Sequence, residues 1–349
     1  MHTFKQKIFI PFFILTMCLF TFSISTNAKV KVYNQHGVVL KKFRVSKFKY
    51  VHNHNYTRKD YHKHYHRGYR HTHNHIKSYG GNYRTYAKTL FFLTSARRDS
   101  KHRRWNPQSL VITPSGKFAF VMYPREVVRY NLFKLRKMGV NYKHPILTKE
   151  QIRSAVKFGP IIENGHGQSL SYNYKTHRLW FINMGVMNKH AKLEELSMKT
   201  LKPVQIIKFH YSSDYSLSNE LAFDKRGNLY TYTRSSGNGA IKNGTLRISK
   251  GYVAHHKVHF KMIMQGIRHA PGYLTQALSY NPRNNRLYFV SDGGILSAPV
   301  NKLGHLKNSD IRDTKFLTRR EFEGLAFTKK GKGYLLLNRS PEIMSFNHF

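Results

Sequence analysis

The stretch Asn164–Asn183, NGHGQSLSYNYKTHRLWFIN, runs from a polar, glycine-containing loop into two apolar segments separated by a basic turn. In the first segment Leu170 follows Gln168 by two positions, and Tyr172 follows Leu170 by two. An apolar residue at every second position is typical of a strand with one buried face. The stretch therefore predicts a strand, a turn and a second strand.

Four further stretches repeat this pattern, each with a polar first residue, Leu two positions later and an aromatic or branched residue two positions after that. They are QSLVITPSGKFAFVMY from Gln108, NELAFDKRGNLYTYT from Asn219, QALSYNPRNNRLYFVS from Gln276 and EGLAFTKKGKGYLLLN from Glu323. The five starts are 60, 51, 57 and 47 residues apart, a spacing typical of four-stranded β-propeller blades. We predict an all-β, five-bladed β-propeller over residues 89–349. A six-bladed ring, with a degenerate blade in 132–163 or in the N-terminal segment, is the alternative.

The last repeat is too short for a complete blade. Only 27 residues run from Glu323 to Phe349, which is room for about three strands. The segment Thr89–Thr94, TLFFLT, is predicted to supply the missing outer strand and so to close the ring. One helix is expected at Thr148–Val156, with Thr148 as its cap and Gln151 three residues later.

The first 28 residues have the pattern of a secretory signal peptide. Lys5 and Lys7 precede the apolar run Ile8–Phe22, and small residues precede Lys29. A transmembrane anchor is the alternative. Cys18, the one cysteine, lies inside this run, so cleavage leaves a chain without disulfides that depends on its hydrophobic core. We expect a secreted or cell-wall-associated protein without a transmembrane anchor.

Residues 29–88 differ in composition from the repeats. They contain 15 Lys or Arg and one acid, and from His52 to His75 they read HNHNYTRKDYHKHYHRGYRHTHNH. Charge of one sign with few branched apolar residues predicts a largely disordered tail. A short hairpin around Gly37 is the exception, and the propeller is expected to fold without residues 29–78. The tail histidines are candidate zinc or copper ligands, namely His62, His64, His66, His71, His73 and His75.

The whole chain has 60 Lys and Arg against 16 Asp and Glu, a formal net charge of +44. This excess indicates a polyanionic partner. Secretion favours an anionic cell-wall polymer or glycan over nucleic acid, for which no groove-reading motif is present. A monomer is expected. Tyr172, Tyr174, Trp180 and Phe181 are candidates for a carbohydrate-stacking surface.

The first strand of each propeller blade lines the central channel, so the polar first residues of the repeats should form a ring at one channel mouth. These candidate ligand-binding residues are Gln108, Gln168, Asn219, Gln276 and Glu323. Solvation of the channel is the alternative role. His166 is a candidate general base, with Glu163 as its orienting carboxylate. No nucleophile elbow, HExxH motif or phosphate-binding loop occurs.

The stretch FEGLAF, Phe322–Phe327, resembles the Glu-Gly strand start of the six-bladed calcium-dependent lactonase family. That resemblance implies calcium at the channel mouth, with Glu323 and Asn219 at ligand positions. The stretches NGHGQSLSYN, NELAFDKRGNLYTYT and EGLAFTKKGKGYLLL resemble the helveticin J-like proteins, which implies a bacteriocin. We therefore expect a secreted cationic β-propeller that binds anionic cell-envelope polymers, in its most specific form a helveticin-like bacteriocin. A metal-dependent hydrolase or lactonase at the channel mouth is the alternative.

Overall fold

The computed structural model describes residues 29–40, 47–54, 75–94, 106–184, 190–211, 219–234, 244–272, 274–318, 320–338 and 341–349. Over these residues about half of the chain is strand and very little is helix, which confirms the all-β class. The predicted signal peptide lies outside them. No helix in the described part of the chain is both long enough and apolar enough to span a bilayer.

The described residues from 29 to 234 contribute fourteen strands and two short helices. The strands are β1 Lys31–Val38, β2 Lys49–Val51, β3 His75–Gly80, β4 Tyr86–Phe92, β5 Ser109–Ile112, β6 Phe118–Tyr123, β7 Glu126–Asn131, β8 Val156–Phe158, β9 Ser171–Asn173, β10 Arg178–Met184, β11 His190–Leu196, β12 Pro203–His210, β13 Ala222–Phe223 and β14 Leu229–Arg234. The helices are α1 Leu132–Lys137 and α2 Lys149–Ala155. Helix α2 begins as predicted, because Thr148 and Gln151 form a capping box.

The described residues from 244 to 349 contribute ten strands. They are β15 Leu246–Ala254, β16 Lys257–Met262, β17 Gln265–Ile267, β18 Thr275–Asn281, β19 Arg286–Ser291, β20 Gly294–Pro299, β21 Arg312–Phe316, β22 Phe322–Phe327, β23 Gly333–Leu337 and β24 Glu342–Phe346. Two 3-10 turns, Val300–Lys302 and Asn308–Asp310, lie between β20 and β21.

Each predicted repeat forms the innermost hairpin of a sheet. The first sheet has the order β5-β6-β7-β8, and the second has β9-β10-β11-β12-β1. The third runs β13-β14-β15-β17-β2, with β16 also paired to β15. The fourth and fifth repeats share one nine-stranded sheet, β18-β19-β20-β21-β3-β4-β24-β23-β22.

The first strands of the repeats contact one another in a closed circle, β5 to β9, β13, β18, β22 and back to β5. Five hydrophobic clusters lie between consecutive repeats, and one of them packs the last repeat against the first. This circular packing of radial sheets is a β-propeller-like architecture. It follows from strands with two buried faces, such as β19, in which every residue is buried.

The ring closes through two contacts between the chain ends. Strand β4 pairs antiparallel with β24, so the segment around Thr89–Thr94 supplies an outer strand to the last repeat, as predicted. On the inner side, β22 approaches β5 so closely that a Cβ on Gly324 would lie 2.9 Å from the backbone nitrogen of Leu110. The glycine of the FEGLAF stretch is therefore required for inner closure.

The structure corrects the predicted tail in its described parts. Strand β1 pairs parallel with β12, β2 pairs parallel with β17, and β3 pairs with both β21 and β4. We call these three strands the rim belt, because they follow the outer edges of successive sheets in chain order. The predicted hairpin around Gly37 is replaced by the uninterrupted strand β1. Residues 41–46 and 55–74 of the predicted tail lie outside the described residues.

The rim belt is fixed by side chains as well as by backbone pairing. Gln35 exchanges two hydrogen bonds with the backbone of Val258, of 2.8 and 2.9 Å, and so joins the second sheet to the third. Val39 and Leu40, just after β1, are buried in the cluster between the same two sheets. Sequence composition missed this role because the belt is polar except at these few positions.

Candidate functional site

Two of the polar first residues of the repeats, Gln168 and Gln276, are hydrogen-bonded to each other at one end of the channel. Gln168 Nε2 donates to Gln276 Oε1 at 2.9 Å. Gln276 Nε2 in turn lies 3.4 Å from Oδ1 of Asp292, which also accepts a 2.9 Å bond from the backbone N–H of Phe322. This chain of contacts connects the second, fourth and fifth repeats at the channel mouth.

A second group of oxygens surrounds the amide nitrogen of Asn338. Asn338 Nδ2 donates to Glu323 Oε1 at 3.1 Å and to Glu321 Oε2 at 3.3 Å, and it contacts Asn106 Oδ1. Glu323 is buried and Glu321 is half-buried. Asn106, which precedes the first repeat, thus contacts Asn338 of the last repeat at the point where the two ends of the ring meet.

Electrostatic interactions link these two groups. Burial raises the pKa of Asp292 to about 7, and the charge of Glu321 adds to this effect. The hydrogen bonds from Phe322 and Gln276 act in the opposite direction. Near neutral pH, Asp292 is therefore protonated for part of the time, beside the carboxyl of Glu321.

His166 lies beside this group. Desolvation of its ring lowers the pKa of His166, while the charge of Glu321 acts to raise it. The imidazole is therefore largely neutral near pH 7 and can accept a proton. His166 is exposed as a residue, so a molecule at the mouth can reach it.

The predicted partner of His166 points elsewhere. Glu163 is exposed, and its charge acts on the carboxyl of Glu194. Its backbone carbonyl accepts a 3.0 Å bond from the Asn183 side chain. The carboxylate whose charge acts on His166 is that of Glu321, so the structure replaces Glu163 by Glu321 as the acidic partner.

The other first residues of the repeats differ in their environments. Gln108 is buried, and its Oε1 has no hydrogen-bond partner among the described residues. Asn219 is half-buried at the start of the third inner strand and is not part of the group around Asn338. Of the predicted ring, Gln168 and Gln276 thus form one hydrogen-bonded group and Glu323 belongs to a second group, whereas Gln108 and Asn219 belong to neither.

The mouth does not fit the calcium site that the lactonase resemblance implies. The described residues contain no group of three or more His, Cys, Asp or Glu able to hold a metal ion. The point where three oxygens meet is filled by Asn338 Nδ2, a hydrogen-bond donor, and calcium requires oxygen ligands. Of the tail histidines, His75 is exposed at the start of β3, and the other five lie outside the described residues.

Below the mouth the channel is narrow and mostly apolar. Leu170, Tyr172, Leu278, Tyr280 and their neighbours leave a space of about 30 Å³. This space is about the size of one water molecule. The proposed carbohydrate-stacking surface is also absent from this described region, because Tyr172, Trp180 and Phe181 are buried in the core.

Sequence inspection missed Asp292, Glu321 and Asn338. Asp292 and Asn338 each follow the second strand of a repeat, in the stretches NNRLYFVSD and GYLLLN. In an antiparallel hairpin the end of the second strand lies beside the start of the first. A search for polar residues at the ends of the second strands would have found both.

Comparisons with known proteins identify no family. No protein-family model matches the chain, and no curated protein matches it. Among solved structures, hydrazine synthase of Kuenenia stuttgartiensis is 10% identical, with 70% of this chain and 83% of that chain covered and a TM-score of 0.41. A Trichoderma reesei carbohydrate-active enzyme of family AA12 is 9% identical, with 81% and 100% covered and a TM-score of 0.43. A Xanthomonas campestris gluconolactonase is 8% identical, with 78% and 96% covered and a TM-score of 0.40.

Proposed function

We propose that this protein is a hydrolase of neutral esters or lactones, with its active site at the channel mouth of a five-bladed β-propeller. The closed circle of five inner strands and the five clusters between repeats support the blade number. The observation that carries the activity is the position of Glu321, whose charge acts both on the neutral imidazole of His166 and on the carboxyl of Asp292. Perturbed ionisable groups in a concave site are typical of acid–base catalysis.

Each of the three residues has a distinct role. His166 accepts a proton from the attacking water, because its pKa is lowered and its ring is accessible. Glu321 stabilises the imidazolium that forms, since its charge acts on the ring. Asp292 is a buried positioning residue. While Asp292 is protonated, it adds no second negative charge beside Glu321. It therefore does not repel the negative charge that develops on the ester oxygen.

These roles predict a narrow pH–rate profile. The rate rises with pH as His166 loses its proton, below the reference value of about 6.5, and it falls as Asp292 ionises near pH 7. Hydrolysis of a panel of lactones and aryl esters by the full chain, from about pH 5 to 9, tests this. Asp292→Asn keeps an acceptor for Phe322 and should remove the alkaline fall.

His166→Gln should reduce kcat by about 10²-fold or more. His144→Gln, at another exposed histidine, is the matched control and should leave the rate unchanged. Equal rates in the two variants, or no turnover of any ester by the natural chain, would exclude the hydrolase.

A second function is supported by the distribution of charge, namely binding to anionic cell-envelope polymers after secretion. Nine of the thirteen acidic residues in the described part are buried, against four Lys or Arg, so the surface is more cationic than the composition alone indicates. Helveticin-like killing of bacteria would be its most specific form. Retention on whole cells should fall steeply with salt, because exposed charges are screened within about 8 Å at physiological ionic strength. Retention that is indifferent to salt, together with no loss of cell viability, would contradict this function.

A further inference from the structure

A cavity of about 570 Å³ lies at the outer part of the second sheet, where β1 joins β12. Five of its lining residues carry cationic or ionisable nitrogen groups: His36, His190, Lys192, Lys208 and His210. No Asp or Glu is among the described residues that line it. The cavity is lined by β1, β11 and β12, the outer strands of the second sheet, and by Asn183 of β10.

Like groups oppose one another across two adjacent strands in this cavity. Lys192 of β11 is directly opposite Lys208 of β12, and His190 is directly opposite His210, with ring centroids 4.9 Å apart. The two pairs are two residues apart and therefore lie on the same face of the sheet. Like charges directly opposite each other destabilise an antiparallel pair. An anion between them would remove that repulsion.

The nearest carboxyl on the same row of β11 does not line the cavity. Glu194 is buried and accepts a 3.0 Å bond from Asn183. Burial raises the pKa of Glu194, the charge of Glu163 adds to this, and Lys192 acts in the opposite direction. The carboxyl of Glu194 is thus bonded to Asn183, and Glu194 itself is not among the described residues that line the cavity.

We propose that this cavity binds the phosphate groups of a phosphodiester polymer. Lysine ammonium groups donate hydrogen bonds and cannot act as acceptors, so the site selects an anion over a cation. Asn34 on β1, which pairs with Lys208, adds an amide donor to the same cavity. This inference deepens the second function proposed above, rests on it for its biological context, and names the phosphate-reading site.

The test is direct binding of the full chain to poly(glycerol phosphate) by calorimetry at about 0.15 M salt. Lys192→Gln with Lys208→Gln should weaken binding about tenfold or more, because two charge-assisted contacts are lost. The same double variant should melt at a higher temperature than the natural chain when no polymer is present, since it relieves the opposed charges. Lys329→Gln with Lys330→Gln, two adjacent exposed lysines in the turn after β22, removes the same charge and should change affinity less than about twofold.

The histidines give the site a second signature. Histidine ring N–H groups donate hydrogen bonds to phosphate oxygens as lysine ammonium groups do. His190→Gln with His210→Gln should therefore weaken binding of the polymer, but by less than the lysine double variant does. The other ionisable groups facing them are His36, Lys192, Lys208 and the neighbouring Glu194.

Three outcomes would overturn the proposal. They are equal losses in the cavity and control lysine variants, unchanged binding in both, and equal affinity for polyglutamate, a polyanion without phosphate. Competition by inorganic phosphate would support phosphate as the recognised group. Because the measurement uses purified polymer, tight binding combined with no retention on cells would refute the envelope function while leaving this site in place.

Discussion

Gln168 and Gln276 join their side-chain amides by a 2.9 Å hydrogen bond, although 108 positions separate them in the chain. They begin the second and fourth repeats, whose inner strands are separated by β13 in the circle. The bond therefore crosses the channel mouth instead of connecting neighbouring strands. It positions Gln276 to donate to Asp292, and so it connects the most accessible side of the mouth to a buried carboxyl.

A double-mutant cycle at this pair tests the cross-channel connection. Gln168→Leu leaves Gln276 Oε1 without its donor, and Gln276→Leu removes the partner of Gln168, so each should lower the free energy of unfolding by about 1–2 kcal/mol. In urea denaturation the two effects should be coupled by about 0.5–1.5 kcal/mol. Strict additivity would show that the amides do not meet in solution.

The pH dependence of stability tests the environment of Asp292. Its pKa rises from 3.8 to about 7 on folding, so the native state holds a proton that the unfolded state releases in between. The free energy of unfolding should therefore fall as pH rises from about 4 to 7, and Asp292→Asn should remove part of that fall. At pH 8, Asp292→Asn should raise the free energy of unfolding by on the order of a few kcal/mol at most.

Glu150→Gln, at an exposed acid in α2, is the matched control and should leave the pH profile parallel to that of the natural chain. Glu194 and Glu342 also have pKa values raised by burial, so a residual slope of the same sign should remain in Asp292→Asn. A profile for Asp292→Asn that is parallel to the natural one would contradict the raised pKa.

The inner half of the fold was predictable because it depends on local patterns. Leu110, Leu278 and Leu325 recur with the same spacing to a polar first residue, and period-two alternation is a property of a single strand. The mouth was predictable only in part. Asp292 and Asn338 reach it from the ends of second strands. Their hydrogen-bond partners there are set by how the repeats pack around the ring, which the neighbouring sequence does not show.

The rim belt was not predictable for a different reason. Strand β1 is largely exposed and carries no alternating apolar pattern, so its strand conformation comes from the free edge of β12. Pairing with an existing edge satisfies its backbone without a hydrophobic face. Within residues 29–40 only Val39 and Leu40 are buried apolar residues, and two residues are too few to distinguish a docked strand from a disordered tail.

Ring closure depends on a buried ion pair that can be tested by substitution. Arg320 Nε lies 2.7 Å from Glu342 Oε1, both side chains are almost fully buried, and Thr89 Oγ1 on β4 donates to Glu342 Oε2 at 2.5 Å. Arg320→Met should lower the free energy of unfolding by about 3–5 kcal/mol, because it leaves Glu342 buried without its partner.

Arg178→Met is the matched control, since Arg178 also contacts a glutamate, Glu195, but its own side chain is 57% exposed. This change should cost about 0–1 kcal/mol. Chemical denaturation of both variants measures the difference. Similar costs for the two substitutions would show that the Arg320 pair does not hold the ring closed.

The rim belt is expected to be part of the folding unit, in contrast to the dispensable tail that composition predicts. Leu40 is 2% exposed and packs in the cluster between the second and third sheets, together with Val258 and Phe260. Leu40→Ala should therefore lower the free energy of unfolding by about 2–5 kcal/mol, through lost burial and the cavity left behind. Val32→Ala, at a β1 side chain that is 48% exposed, should change it by less than about 0.5 kcal/mol. Thermal denaturation of the two variants and of a chain lacking residues 29–40 tests this. If the belt is docked, Leu40→Ala should lower the melting temperature clearly and the deletion should lower it further. Unchanged melting temperatures in all three would instead support a free, dispensable tail.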